Sequence, residues 1–105
     1  ASKIWARASR ARKMLAEAPF EFVREVEGRE VLLRGSVDLA FDEGDGWVLV
    51  DYKTDSTEDG RLQGLVDHYA PQLKLYAEAW QQASGEKVKE IGLNFTGSGL
   101  YTIVD

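Results

Sequence analysis

The spacing of apolar residues divides the chain into two predicted helices and five predicted strands. Apolar positions near 3.6-residue spacing predict a first helix over residues 2–17, with Ser2 as its N-cap and Pro19 beyond its end. A second helix is predicted over residues 67–84, and it should begin near Pro71 because proline fits only the first helical turn. Alternating or β-branched stretches predict strands at residues 20–27, 30–41, 47–53, 88–95 and 100–104.

These elements predict an α/β (α+β) fold built on a mixed β-sheet flanked by helices. Glycine-containing segments at residues 42–46 and 96–99 are typical of turns between antiparallel strands. The helical connection between the third and the fourth strand is long enough for a crossover between parallel strands. The predicted order is therefore helix, three strands, helix, two strands (α-βββ-α-ββ).

Composition and charge narrow the classes of function. The chain has 105 residues and opens on alanine, so we expect residues 1–105 to be a single, partial domain of a larger protein. It contains no cysteine, which excludes disulfides and thiolate metal sites, and no apolar run is long enough to span a bilayer. The net charge of −5 argues against nonspecific binding to a phosphate backbone as the main role. The basic residues 1–16 could still contact phosphates, or they could form a solvated helix face.

The hairpin around residues 42–46 is predicted to gather two carboxylates and an ammonium group. If Asp42 pairs with Trp47, Asp38 lies opposite Asp51, and Lys53 lies one pleat further along the same face. The residues expected on that face are Ser36, Asp38, Ala40, Leu49, Asp51 and Lys53. The residues expected on the other face, as plain core, are Val37, Leu39, Phe41, Val48, Val50 and Tyr52.

Two carboxylates in directly opposite positions favour a proton or a cation between them. Their Cβ atoms would be about 4.5–5.5 Å apart, close enough for strong repulsion in a half-buried site. Aspartate oxygens suit magnesium or manganese, and a neighbouring lysine could stabilise charge on a phosphoryl group during metal-assisted phosphodiester hydrolysis. Two alternatives remain open. Asp38 and Lys53 could form an ordinary ion pair while Asp51 only ends a strand, or the carboxylates could act as acid and base on a sugar.

The second helix adds polar groups to the same region. Gln72 and Tyr76 are four residues apart and therefore lie on one side of the helix. Gln72 adjoins the apolar stripe that contains Tyr69 and Leu73, so its amide is expected to point toward the polar face of the sheet. The alternative is a half-exposed glutamine at the edge of a core helix.

Four segments of the chain carry a resemblance to a known family. They are Glu-Ala-Pro-Phe at residues 17–20, Gly-Ser-Val-Asp at 35–38, the run from Trp to Asp-Tyr-Lys-Thr-Asp at 47–55, and Tyr-Ala-Pro-Gln-Leu-Lys-Leu-Tyr at 69–76. The last three resemble successive motifs of the RecB-like nucleases in the PD-(D/E)xK superfamily. The nearest similarity is to the C-terminal nuclease domain of AddA-type bacterial helicase–nucleases.

The resemblance implies a restriction-endonuclease-like fold and a set of site residues. Asp38, Asp51 and the backbone carbonyl of Tyr52 would be ligands of Mg²⁺ or Mn²⁺. Lys53 would be the catalytic lysine. Gln72 and Tyr76 would line the site, and Gln72 would position the lysine or a phosphate.

The resemblance also implies a biological setting. The chain would be a magnesium-dependent deoxyribonuclease domain, of exonuclease type, in an ATP-dependent helicase–nuclease that acts in double-strand break repair and recombination. Its partners would be DNA, the helicase domains of the parent chain and a partner nuclease subunit, with no membrane. The expected location is the bacterial cytoplasm. The alternative is a non-catalytic module that guides DNA or docks another protein of the same complex.

Two departures from the family pattern affect these expectations. The family carries a metal-ligating histidine on a helix well before the first strand, and this chain begins too late to contain it. The isolated chain is therefore expected to bind metal weakly and to be inactive alone. His68, its one histidine, is expected to be a surface residue at the start of the second helix, or else to contact a DNA phosphate. Relatives with an iron–sulfur cluster use four cysteines, which this sequence lacks.

Overall fold

The computed structural model describes residues 3–105, so the predicted N-cap at Ser2 lies outside the described part. The elements are α1 (Lys3–Ser9), β1 (Lys13–Val26), β2 (Arg29–Asp42), β3 (Trp47–Lys53), α2 (Leu62–Ser84), β4 (Val88–Phe95) and β5 (Leu100–Val104). Neither helix in this part of the chain is long and apolar enough to cross a membrane.

The five strands form one mixed sheet in the order β1-β2-β3-β4-β5. β3 and β4 are parallel and α2 connects them, while the other neighbouring strands are antiparallel. This confirms the predicted mixed sheet and the α-βββ-α-ββ order. The register of the central hairpin is also confirmed, since Asp42 pairs with Trp47 and the ladder continues to Leu39 and Val50.

The two helices cover opposite faces of the sheet. On β3, alternate residues belong to different buried clusters, with Leu49 in the cluster that includes α2 and Val48 in the cluster that includes α1. The α2 side is the larger, and the helix contributes the buried Leu73 and Trp80 to it. The α1 side is closed by Ile4 and Ala8 of the short first helix. The central strands are therefore buried on both faces, which explains their nearly continuous apolar sequence.

The first helix is shorter than predicted, because it ends at Ser9 and the chain enters β1 at Lys13. The residues expected to continue the helix pair instead with β2, beginning with Lys13 opposite Asp42. Their apolar spacing suits a helix, but the backbone hydrogen bonds of a ladder of thirteen residue pairs with β2 outweigh that weak local preference. Pro19 lies within β1, an edge strand, where a missing N–H is tolerated.

The second helix is longer than predicted, because it begins at Leu62 and contains Pro71 in its interior. Pro71 has no N–H to donate to the carbonyl four residues earlier, which normally bends or ends a helix. The turns before it bury Leu62, Leu65 and Val66 against the sheet, and this burial offsets the lost hydrogen bond. The predicted end is confirmed, since Gly85 caps the helix at φ 71° and donates its N–H to the Gln81 carbonyl at 2.9 Å.

The expected alternation along β2 fails at one point. Val37 was expected beside Leu39, yet it packs in the α2-side cluster while Leu39 packs on the α1 side. The ladder between β1 and β2 omits the Glu17–Asp38 pair, and Glu17 has a left-handed φ of 51°. The side-chain alternation of β2 changes at this interruption, although no residue is inserted and the pairs on both sides of it keep the same register. Ser36, expected beside Asp38, is exposed and pairs with Pro19.

A cluster of charged residues, here called the α1 network, fixes α1 to the sheet. Its members are Arg7, Glu43, Asp45, Lys89, Glu90 and Tyr101. Arg7 lies 2.8 Å from carboxylate oxygens of both Glu43 and Glu90, and Lys89 lies 2.8 Å from Glu43. Hydrogen bonds from Arg7 and Lys89 lower the pKa of Glu43 to about 2. This arginine of the basic first segment is therefore part of the packing, and not of a solvated helix face.

Candidate active site

The β2–β3 hairpin places Asp38 at the end of its ladder. Backbone pairing stops at Leu39 and Val50, and the next acceptor is a side chain: Oδ2 of Asp38 accepts the N–H of Tyr52 at 2.7 Å. The carboxylate thus takes the place of a backbone carbonyl and is fixed relative to β3. The side chain of Tyr52 packs on the α1 side.

Asp51 and Lys53 form an ion pair beside this carboxylate. The distance from Lys53 Nζ to Asp51 Oδ2 is 2.9 Å, and the side chains of Lys53 and Asp51 are 19% and 12% exposed. The alternative of an Asp38–Lys53 ion pair is therefore wrong, since the lysine pairs with the nearer acid on its own strand. The structure does bring all three predicted residues to one place.

The electrostatics of this group favour an added positive charge. Burial, together with the neighbouring Asp38 carboxyl, raises the pKa of Asp51 to about 6, and the ion pair with Lys53 only partly opposes these effects. Burial acts to lower the pKa of Lys53, but the contact with Asp51 raises it overall, so the lysine remains charged. One ammonium does not compensate two neighbouring carboxylates in a buried position.

Tyr76 and Gln72 of α2, together with Phe20 of β1, complete this side of the site. Tyr76 is half-buried and packs edge-on against Phe20, with the ring centroids 4.8 Å apart. Burial raises the pKa of Tyr76, the charge of Asp51 adds to the effect, and a hydrogen bond from Gln72 opposes it. Gln72 itself is exposed, which matches the alternative of a glutamine at the edge of a core helix more closely than an amide buried against the sheet.

Gly35 allows α2 to approach the sheet at this point. A Cβ atom on Gly35 would lie 2.8 Å from Cζ of Phe20 and 3.2 Å from Cε1 of Tyr76. Carbon atoms in ordinary contact are about 3.5–4.0 Å apart, so a side chain here would push the two rings away. The helix and the ring of Phe20 therefore approach the sheet closely at this glycine.

The sequence reasoning missed two residues of the site, Tyr69 and Asp55. The ammonium of Lys53 lies 4.1 Å from the centroid of the Tyr69 ring. The hydroxyl of Tyr69 donates to both carboxylate oxygens of Asp55, at 3.0 and 3.2 Å. Both residues lie in segments that carry the family resemblance, but nothing in their spacing shows that they meet around the lysine.

The oxygen atoms of the two carboxylates suit a divalent cation, but two side chains do not provide a complete set of metal ligands. Asp38 and Asp51 supply hard oxygens whose mutual repulsion a cation would relieve. No group of three or more histidine, cysteine, aspartate or glutamate side chains that could hold a metal occurs within residues 3–105. His68 is exposed on α2, with its ring edge-on to Tyr69 at 4.8 Å between centroids. It is thus a surface residue in the early turns of the helix.

Comparison with known proteins identifies the family of this chain. The model of the PD-(D/E)XK nuclease superfamily matches residues 1–105. A protein of Carboxydothermus hydrogenoformans is 38% identical over 104 residues, which is 90% of this chain and 9% of that protein. A protein of Thermoanaerobacter sp. (strain X514) is 40% identical over 78 residues, covering 72% of this chain and 6% of that protein.

A third relative, from Acetivibrio thermocellus, is 43% identical over 75 residues, covering 67% of this chain and 6% of its own length. All three relatives are named as the same component of an ATP-dependent helicase/nuclease. The chain spans less than a tenth of the length of each. The match over the whole chain, the mixed sheet of the restriction-endonuclease-like fold and these relatives agree, and the chain belongs to the PD-(D/E)XK nuclease superfamily.

Proposed function

We propose that this chain is the nuclease domain of an ATP-dependent helicase–nuclease and that it hydrolyses DNA phosphodiester bonds with a divalent metal, Mg²⁺ or Mn²⁺. The observation that carries the proposal is the buried Asp51 carboxyl between Asp38 and Lys53, with its pKa raised to about 6. Burial beside a second carboxyl disfavours the charged form of Asp51, and a divalent cation bound to both acids would relieve this.

The residues of the chain have separate tasks in this function. Asp38, held by the Tyr52 N–H, and Asp51 would hold the metal together with the Tyr52 carbonyl. When bound, the metal would polarise the phosphodiester and lower the pKa of an attacking water. Lys53 stabilises negative charge on the phosphoryl oxygens. Tyr76 and Gln72 line the site, and the Gln72 amide is available to position the lysine or a phosphate.

The wider setting is also proposed. The relatives are named as components of a helicase/nuclease and extend far beyond the matched segment, which supports DNA and the helicase domains of the same chain as partners. A partner nuclease subunit, exonuclease action, a role in double-strand break repair and recombination, and a location in the bacterial cytoplasm follow from the same reasoning. In this setting residues 1–105 are one part of a larger nuclease domain, whose remaining metal ligand comes from outside them.

The test is a pair of carboxamide substitutions in the full-length protein. Asp51→Asn removes a charged ligand with little change of shape, and Asp45→Asn does the same in the α1 network. Loss of groups that merely support a metal ligand costs about 10–100-fold, so loss of the ligand itself should lower the cleavage rate in Mg²⁺ by at least about 100-fold. Asp45→Asn should leave cleavage unchanged, and both variants should keep ATP-driven unwinding. Cleavage by Asp51→Asn at near the wild-type rate would overturn the proposal.

A non-catalytic module that guides DNA or docks another protein of the complex is the second candidate. The observation that favours it is the incomplete set of ligand side chains within residues 3–105. In that case Asp51→Asn would not affect cleavage by the full-length protein, and Mg²⁺ or Mn²⁺ would not change its melting temperature. The same two measurements therefore separate the candidates.

A further inference from the structure

Lys53 is held by two contacts of different kinds. One is the ion pair with Asp51 at 2.9 Å, and the other is the face of Tyr69, whose ring centroid lies 4.1 Å from the ammonium. A cation within about 6 Å of an aromatic centroid is attracted to the ring, and the attraction grows when water is excluded. The lysine side chain is only 19% exposed, so much of this water is already absent.

Tyr69 is itself oriented by a third residue. Its hydroxyl donates to both oxygens of Asp55, which lies two residues after Lys53 in the loop that follows β3. A hydrogen bond to a carboxylate is stronger than one between neutral groups, and it keeps the hydroxyl protonated. The pKa of Tyr69 is accordingly raised, chiefly by Asp55. The loop and α2 are thus joined at the residue that contacts the lysine.

The two contacts of Lys53 respond differently to a bound metal. A divalent cation on Asp51 would compete with the ammonium for the same carboxylate and weaken the ion pair. An aromatic ring carries no formal charge and does not bind a hard cation in preference to oxygen ligands. The contact with Tyr69 would therefore remain when the contact with Asp51 is weakened.

We propose that Tyr69 is a positioning residue that keeps Lys53 directed at the phosphoryl group, and that Asp55 orients the Tyr69 ring for this task. The inference rests on the proposed function for its consequence in catalysis. The contact itself does not depend on that function. This difference allows the two to be tested separately.

The contact is tested by the chemical reactivity of lysines in the full-length protein. Acetylation by an N-hydroxysuccinimide ester, followed by peptide mass spectrometry, measures how freely each amine reacts. Lys53 should react several-fold faster in Tyr69→Leu than in the wild type, and Tyr69→Phe should remain close to the wild type. Lys89, which is paired with Glu43 and Asp45 in the α1 network, is the internal control and should not change. Added Mg²⁺ should widen the difference between Tyr69→Leu and the wild type.

The task in catalysis is tested by the kinetics of DNA cleavage. Tyr69→Leu should lower kcat about tenfold with KM for DNA unchanged, while Tyr69→Phe, which keeps the ring, should lose only about twofold. Asp55→Ala removes the same hydrogen bond as Tyr69→Phe. The double variant should therefore be no worse than either single variant.

The outcomes of these experiments decide whether Tyr69 positions Lys53. Unchanged Lys53 labelling in a folded Tyr69→Leu protein would overturn the inference, as would equal losses of kcat in Tyr69→Leu and Tyr69→Phe. Faster labelling of Lys53 with the expected kcat losses would support it. If Asp51→Asn still cleaves DNA, the proposed function fails, and the labelling without metal still reports whether Tyr69 holds Lys53.

Discussion

Two partly buried clusters of charged side chains on this sheet shift the pKa values of their carboxyl groups in opposite directions. In the α1 network, Arg7 and Lys89 lower the pKa of Glu43 to about 2. In the candidate active site, burial and a second carboxyl raise the pKa of Asp51 to about 6 despite the ion pair with Lys53. Both places are partly buried and contain a lysine at 2.8 or 2.9 Å from an acid. An ion pair alone therefore does not separate the two places, whereas the direction in which the carboxyl pKa is shifted does.

The largest expected effect is the loss of DNA cleavage when Lys53 is replaced by methionine. The same substitution of Lys89 in the α1 network is the control. Lys53→Met should reduce DNA cleavage by about 100-fold or more, because in the proposed function Lys53 is the cation that stabilises phosphoryl charge. Lys89→Met should leave cleavage per folded molecule unchanged and lower the free energy of unfolding by about 1 kcal/mol. Cleavage assays in Mg²⁺ and urea unfolding of both variants measure this contrast. Equal effects of the two substitutions on cleavage would remove the distinction between the two places.

The next effect concerns the stability of the α1 network. Arg7→Met leaves the half-buried Glu43 and Glu90 without their common partner, and it should lower the free energy of unfolding by about 2 kcal/mol. Arg34→Met is the matched control, since its ion pair with Glu21 joins side chains that are 74% and 59% exposed. That substitution should cost less than about 0.5 kcal/mol. Urea unfolding at neutral pH would contradict the prediction if both variants lost the same stability.

The smallest expected effect is a rise in the free energy of unfolding when Asp51 of the candidate active site loses its charge. Asp51 has a folded-state pKa of about 6 against an ordinary value of 3.8, so its ionised form destabilises the fold above pH 6. As the pH falls through about 6 toward about 4, the folded carboxyl takes up a proton and this destabilisation disappears. Asp51→Asn should therefore raise the free energy of unfolding by about 1–2 kcal/mol at about pH 8, and hardly at all at about pH 4.

The matched control for this measurement is Glu43→Gln, whose effect has the opposite sign. The pKa of Glu43 is lowered from 4.5 to about 2, so its ion pairs stabilise the fold above about pH 4.5 and this contribution is lost as the pH falls toward 2. Glu43→Gln should therefore destabilise the protein at about pH 8. Urea unfolding of both variants at about pH 4 and about pH 8 gives the comparison, and a loss of stability in Asp51→Asn at the higher pH would contradict it.

The sequence alone predicts the register of the central hairpin, but it does not predict where the neighbouring elements begin. The Asp-Glu-Gly-Asp-Gly turn fixes where β2 ends and β3 begins, and counting from it puts Asp38 and Asp51 one position beyond the last ladder pair, Leu39 and Val50. The first residues of β1 and α2 could not be predicted in the same way. Lys13 is drawn into a strand by pairing with β2, and Pro71 is tolerated inside a helix because of burial elsewhere.

Two features of the site were beyond the reach of sequence reasoning. The change of alternation at Val37 depends on a left-handed backbone at Glu17, a residue type that rarely adopts it. The contact between Lys53 and Tyr69 joins residues on either side of a loop, and its formation depends on how far α2 extends toward that loop. In both cases the deciding contact is between segments that no local pattern relates.

The glycine at position 35 has a consequence for the site as a whole. A methyl group at this position would lie too close to the rings of Phe20 and Tyr76. The absence of a Cβ atom therefore determines how closely α2 approaches the sheet. Gly35→Ala would push the Tyr76 ring away from the sheet without replacing any charged group of the site. The spacing between α2 and the sheet at the candidate active site is thus determined by a residue with no functional group of its own.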